Sequence, residues 1–566
     1  MKKISFTILI CLMILTVNAQ YVASKFRVTF KDKNNTPYSI SQPEQFLSQK
    51  ALDRRSRQNI AIKSNDLPVN PWYIDSVRNT GAVVYTISKW FNCVTISTLD
   101  STVIAQILAL PFVSGIDTLA ETSAKKGVKL QDRHKDIDGT NSYKGSVKDQ
   151  ELSANFSAKK GFDYGPSLTQ SQMIGMDYMH ERGFRGQGIT IAILDAGFYK
   201  VDSIHVFDSL WMNNQIMGTK DFVQPGGNVF TRSTHGMMVL SIMGGNVPGS
   251  IIGTAPKANF WLLRSEDADT EYPVEEDNWV SAAEFADSVG ADVINSSLGY
   301  TQFFNPKWDH TYADLNGKTC RASQGAALAS SKGIIVVNSA GNSGAGDWHY
   351  IGAPADADSI LSIGAVDSKR ILASFSSRGP TPDGRVKPSV CAMGFGTYVS
   401  TTTGSVMPGN GTSFSSPVMA GSVACLLQAN PTKSNMQIIN AVIASASKFF
   451  SPDADYGYGI PNFPAANLIL SGNKIYNFDS EKSINIFPNP FQDYFSIMFY
   501  SNDTAALDVN IYEISGKLAY SKENITKNPG CNYIMITGLG NLRKGNYLLK
   551  VVSDKNIYTT KIIKTK

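Results

Sequence analysis

Four short stretches of this 566-residue chain carry residue types that could act together on a carbonyl carbon. "ITIAILDAGF" brings an apolar run to Asp195, and "THGMMVLSIMGG" opens another with His235. "VVNSAGNSG" sets Asn342 among glycines and serines, and "GNGTSFSSPVMAG" holds Ser413 after Gly-Thr. Each is ordinary alone. A carboxylate caps a helix or binds a metal, an asparagine sits in a turn, and small residues mark a strand-to-helix corner. As a set they define acyl-transfer chemistry. A serine hydroxyl is a poor nucleophile until a base takes its proton. A histidine can take that proton near neutral pH and return it to the leaving amine. A buried aspartate fixes the tautomer of the histidine, and an asparagine amide can donate to the oxygen that becomes negative.

In the chain order Asp, His, Asn, Ser, these stretches resemble the motifs of the subtilisin-like serine proteases, over about residues 170–470. "DVINSSLG" and "SAGNSG" resemble the two substrate-lining strands of that family. The resemblance implies Ser413 as nucleophile, His235 as general base, Asp195 as its orienting carboxylate and Asn342 as side-chain oxyanion donor, paired with the Ser413 N–H. Ser415 and Ser416 then fall in the first turn of the following helix. Ser297, Leu298 and Gly299 form one wall of the pocket for the residue before the cut, Ser339, Ala340 and Gly341 the other, and Gly352 the floor. Such small walls admit a bulky apolar or aromatic side chain. No cofactor is required. Structural calcium is common in the family, but no acidic spacing assigns a metal site here. This chain has Ala196 where the family has a hydroxyl residue, Met237 where it has threonine, and Met238 and Val418 where it has histidines. The sedolisins use glutamate as base, which His235 and Asn342 contradict. Esterases of the doubly wound class place the histidine last, and that order does not fit either. The alternative from another class is a catalytically inactive subtilisin-like protein that binds partners at the cell surface.

The elements needed to hold such a set are legible. From 166 to 472, near-continuous apolar runs ("ITIAILDAGF", "ANFWLLRS", "ADVINSSLG", "GIIVVNSAGNSG", "ILSIGAV") alternate with helical stretches such as "WVSAAEFADSVG". That pattern predicts an α/β fold with a mainly parallel sheet and helices on both faces. In such sheets chemistry gathers at the carboxyl ends of the strands. The acidic run Glu271, Glu275, Glu276 and Asp277 reads as a solvated loop, with a preference for basic upstream substrate residues as the functional alternative.

The flanks fit an exported zymogen. Residues 1–19 combine "MKK", an apolar run and Ala19 in the pattern of a cleaved signal peptide. Residues 20–120 alternate strand and helix signals and resemble the inhibitory propeptides of the family. Residues 121–165 are polar and lysine-rich, a linker suited to a maturation cut. Residues 478–566 carry short β signals and resemble the C-terminal sorting domain of the Por (type IX) secretion system through "IFPNPF", "IYEISGK" and "KGNYLLKV". Export passes through the periplasm to a secreted or cell-surface location. The partners are protein or peptide substrates, the chain's own prodomain and the secretion machinery. A net charge of +5 with no dense basic block excludes nucleic acid. Cys11 lies in the signal peptide, and Cys93, Cys320, Cys391, Cys425 and Cys531 are scattered without zinc spacing. Cys391 and Cys425 read as buried thiols, with one disulfide among the later cysteines left open.

Overall fold

The computed structural model describes residues 21–123, 162–471 and 484–565, apart from 488, 502–503, 528–529 and 554–555. The signal peptide and most of the polar linker lie outside the described residues.

The N-terminal unit is a four-stranded antiparallel sheet covered by helices. Its strands are β1 (Tyr21–Phe30), β2 (Val83–Ser88), β3 (Cys93–Ser97) and β4 (Val113–Ser123), in the order β2-β3-β1-β4. Its longer helices are α1 (Gln49–Arg57), α2 (Pro71–Asn79) and α3 (Ser101–Leu108). The helix α2 went unread in the sequence, although it starts with two standard signals. Asn70 accepts from the Trp72 N–H and Pro71 occupies the first turn. Val28, Tyr73, Val77, Ile96 and Ile107 fill the core between sheet and helices.

The central unit holds a seven-stranded, wholly parallel sheet. Its strands are β5 (Thr190–Asp195), β6 (Ile216–Asp221), β7 (Asn259–Arg264), β8 (Val293–Ser296), β9 (Ile335–Ser339), β10 (Leu361–Val366) and β11 (Val390–Met393). The order β11-β10-β9-β8-β5-β7-β6 places the early strands on one side of β5 and the later ones on the other. The crevice at that switch is where a doubly wound sheet binds its ligand. Helix α4 (His235–Gly244) packs on one face, and α5 (Val274–Ser288) and α6 (Arg321–Ser331) on the other. A hairpin of β12 (Phe395–Ser400) and β13 (Val406–Asn410) leads into α7 (Thr412–Ala429), which lies on the same face as α4. Both faces are therefore covered, which explains why the strands lack alternation.

The C-terminal unit stacks two antiparallel sheets. β14 (Asn485–Phe487), β15 (Phe495–Ser501) and β18 (Gly530–Ile536) form one; β16 (Ala505–Glu513), β17 (Leu518–Lys527), β19 (Gly545–Ser553) and β20 (Asn556–Lys564) form the other. Phe495, Ile497, Val509, Ile511, Leu549 and Val551 pack between them. Cys93, Cys320, Cys391 and Cys425 are buried free thiols, so no disulfide joins any of these four. Burial pushes the Cys93 thiol up to about 12. Among the described residues, no helix is long and apolar enough to cross a membrane.

Candidate active site

Asp195 is the last residue of β5 and is fully buried. Its Oδ1 accepts from the Ala196 N–H at 2.8 Å and from His235 Nδ1 at 2.8 Å. A carboxylate oxygen at that distance assigns the imidazole proton to Nδ1 and leaves Nε2 as the acceptor of the neutral ring. His235 opens α4, and the residue after it must be small. A Cβ on Gly236 would lie 2.4 Å from the Gly197 carbonyl oxygen and 3.0 Å from Asp195 Cβ. The "HG" pair thus lets the helix begin directly against the aspartate turn.

Asn342 follows β9. Its Oδ1 accepts from both the N–H and the hydroxyl of Thr412, each at 2.9 Å, which turns its NH₂ toward Ser413. The position a Cβ would take on Gly411 is 3.7 Å from Asn342 Nδ2 and 3.7 Å from the Ser413 nitrogen. The two donors therefore border one small space. Gly411 itself has φ +153°, a conformation side chains rarely adopt, and that conformation swings the chain from β13 into α7. Ser413 is the second residue of α7. Its hydroxyl donates to the Ser297 carbonyl at 3.4 Å, and the Ser297 hydroxyl donates to the Ser413 carbonyl at 2.9 Å. The His235 ring lies 6.2 Å from the ring of the next residue, Phe414, at 27° between planes.

The six wall residues come from the ends of adjacent strands. Ser297, Leu298 and Gly299 follow β8; Ser339 closes β9 and leads to Ala340 and Gly341. Asn338 Nδ2 donates to the Leu298 carbonyl at 3.1 Å and ties the walls together. The Gly352 N–H bonds the Ala340 carbonyl at 3.3 Å, and a Cβ at Gly352 would meet Thr301 Cγ2 at 3.1 Å, so this residue spans both sides. Ala196, Met237, Met238 and Val418 are buried and apolar, and the last three pack in the core beside α4 and α7.

The acidic run is not a solvated loop. Glu275, Glu276 and Asp277 form the buried first turn of α5, where carboxylates complement the helix dipole. Asp277 accepts from Arg27 of β1 and from Arg321, and Glu276 pairs with His310 at 2.6 Å. Glu266, Glu271 and Glu275 bring carboxylate oxygens within 4.8 Å of one another, with Thr270 bonded to Glu275 and Tyr300 to Glu266. Hard oxygen donors of this kind fit a calcium-like cation.

The N-terminal unit sits on α5 and α6. Arg54 donates to the carbonyls of Asp287, Ala291 and Lys332, near the C-terminal ends of both helices, and to the Asp287 carboxylate at 2.5 Å. Arg55 bridges Asp66 and Asp287. The buried Glu284 accepts from the Ser88 hydroxyl and the Lys89 and Trp90 N–H groups. Trp90 packs into the apolar layer of Trp279, Ala283 and Ala326. Sequence reading missed these contacts. The paired arginines in "DRRSRQ" are the local signal, but their shared partner Asp287 lies more than 200 residues away. The end of β4 reaches the segment before α5, with Leu119 and Ala120 packed on Tyr272 and Val274, and Glu121 paired to Lys307.

Comparison with known proteins fits each unit. The model of the subtilase family matches residues 186–459, a Bacteroidota propeptide model of S8 peptidases matches 25–136, and a secretion-system C-terminal sorting domain matches 485–565. Subtilisin DY of Bacillus licheniformis is 31% identical over 300 residues, 52% of this chain and 96% of the relative. Subtilisin Savinase of Lederbergia lenta is 31% identical over 288 residues, 51% of this chain and 93% of the relative. The crystal structure of MycP1 from the ESX-1 type VII secretion system aligns with a TM-score of 0.42 at 21% identity, covering 55% of this chain and 88% of that one. The three family models and the subtilisin relatives define a serine endopeptidase made with a propeptide and a C-terminal signal for export. The chain belongs to the subtilase family.

Proposed function

We propose that the chain hydrolyses peptide bonds in extracellular protein through an acyl-enzyme, with Ser413 as nucleophile, His235 as general base and Asp195 as its orienting carboxylate. Attack by Ser413 Oγ on the scissile carbonyl transfers the hydroxyl proton to His235 Nε2. Asp195 stabilises the imidazolium that results. Asn342 Nδ2 and the Ser413 N–H receive the oxyanion. The imidazolium then protonates the leaving amine, and a water repeats the sequence to release the acid. The observation that carries this reading is the 2.8 Å His235–Asp195 hydrogen bond, with the His235 ring 6.2 Å from the ring of Phe414, the residue after Ser413.

The residue before the cut enters between Ser297–Gly299 and Ser339–Gly341 over Gly352, and an uncharged bulky side chain suits those walls. A structural cation would be held by Glu266, Glu271 and Glu275, and no catalytic step runs through it. Residues 20–120 act as the inhibitory prodomain, a cut within 121–165 releases the enzyme at 166–472, and 478–566 is removed after export. Ser413→Ala should accumulate as unprocessed full-length chain in the exporting cell. Normal processing of that variant would assign the cut to another protease and remove self-maturation from the scheme. The inactive binding protein predicts no peptide hydrolysis by the processed wild-type form.

A further inference from the structure

We infer that Asn295 is a positioning residue that locks the first turn of the nucleophile helix to the wall of the substrate pocket. Asn295 sits on β8 in the middle of the parallel sheet and is fully buried. Shape alone would favour an aliphatic residue there, as at Val293 and Ile294. A buried amide is costly unless its polar atoms are bonded. Both ends of this one are used. Its Oδ1 accepts from the Ser416 hydroxyl at 2.9 Å, and its Nδ2 makes a longer contact, 3.4 Å, to Ser297 Oγ. That hydroxyl in turn donates to the Ser413 carbonyl at 2.9 Å, and the Ser413 hydroxyl points back at the Ser297 carbonyl.

The result is a closed, uncharged ring. It runs from Ser413 along one helical turn to Ser416, across to Asn295, along the strand end to Ser297, and back to Ser413. Ser416 is fully buried, and Ser297 and Ser413 nearly so. Water therefore does not replace a lost member readily. Asn295, Ser297 and Ser416 bond to one another and to Ser413. Their joint effect is to fix where the Ser413 N–H and Oγ stand relative to Leu298 and Gly299. A displacement near 1 Å at such a point can lower a rate about 10²-fold. Substrate would still bind between the walls, so the loss belongs to turnover.

This inference rests on Ser413 being the nucleophile, and the test separates the two ideas. Full-length chains carrying Asn295→Asp, Asn295→Leu or Ser416→Ala are expressed and matured, and kcat and KM are measured on one peptide substrate. Asn295→Asp keeps the shape and the acceptor but loses the donor; Ser416→Ala loses only one hydroxyl. The expected result is a kcat reduced about 10- to 100-fold for the Asn295 variants. KM should stay within about threefold. Asn295→Leu combined with Ser416→Ala should be no worse than Asn295→Leu alone, because both break one ring. Where a variant does not mature, its self-processing rate in the full chain replaces kcat. Unchanged turnover with only a lowered melting temperature would make Asn295 purely structural and overturn the inference. Total loss on Ser413→Ala beside partial loss at Asn295 keeps the triad. Activity in Ser413→Ala would remove the nucleophile itself.

Discussion

At the scale of single residues, the site is held by contacts that leave little freedom. Asp195 receives its own next N–H and the imidazole on one oxygen, so the ring has one hydrogen-bonded orientation. Asn342 is oriented by Thr412, which occupies its amide oxygen twice and aims the NH₂ at the space beside Ser413. As the proposed oxyanion donor, Asn342 would act only once negative charge develops. Asn342→Ala should lower kcat by about 10²–10³ with little change in KM, measured on a peptide substrate at saturating and limiting concentrations. A rise in KM with unchanged kcat would instead make it a ground-state binding group. Motif and order singled out Asp195, His235, Asn342 and Ser413, and the fold brings Asp195 to His235 and Asn342 to the turn before Ser413. The orienting hydroxyl of Thr412 was not, because a threonine before a serine carries no local mark of what it bonds.

At the scale of elements, the first residues of the central unit are stapled beneath α7. The Tyr164 hydroxyl donates to His180 Nδ1 at 2.6 Å, and His180 Nε2 donates to the Thr254 carbonyl at 2.9 Å. Both bonds require a neutral ring. Burial is the main force that lowers the His180 pKa from 6.5 to about 4. The sign follows from linkage. Between those values the unfolded chain binds a proton that the folded chain refuses. The stabilisation is full above pH 6.5 and is lost as pH falls toward 4, by about 3 kcal/mol in all. Thermal unfolding of uncut Ser413→Ala chain across that range should show a steeper acid loss than the same chain carrying His180→Gln. Equal slopes would contradict the assignment. The difference between the two chains isolates His180 from Glu284, whose pKa, raised to about 7 mainly by burial, acts with opposite sign. Elements differed in how well the sequence disclosed them. The central strands announced themselves because burial on both faces demands unbroken apolar runs. The first turn of α5 did not, because Glu275, Glu276 and Asp277 look solvated until Arg27, His310 and Arg321 are brought to them by the fold.

At the scale of the whole molecule, the N-terminal unit acts as a cap on the enzyme's own helices. Arg54 satisfies carbonyls near the ends of α5 and α6 that would otherwise face water or one another, and Arg55, Asp66, Asp287 and Lys332 neutralise each other in a buried network. These buried ion pairs hold the N-terminal unit in place, while the end of β4 packs on Tyr272 and pairs through Glu121 with Lys307. The sorting unit at 485–565 directs the chain to export. The central claim is that Ser413 is the nucleophile of the processed enzyme. A fluorophosphonate probe followed by peptide mass mapping tests it directly. The account predicts one adduct, on Ser413 of the processed form, absent from Ser413→Ala and from His235→Ala. A processed enzyme that cleaves peptides but carries its adduct on another residue, or none, would contradict it.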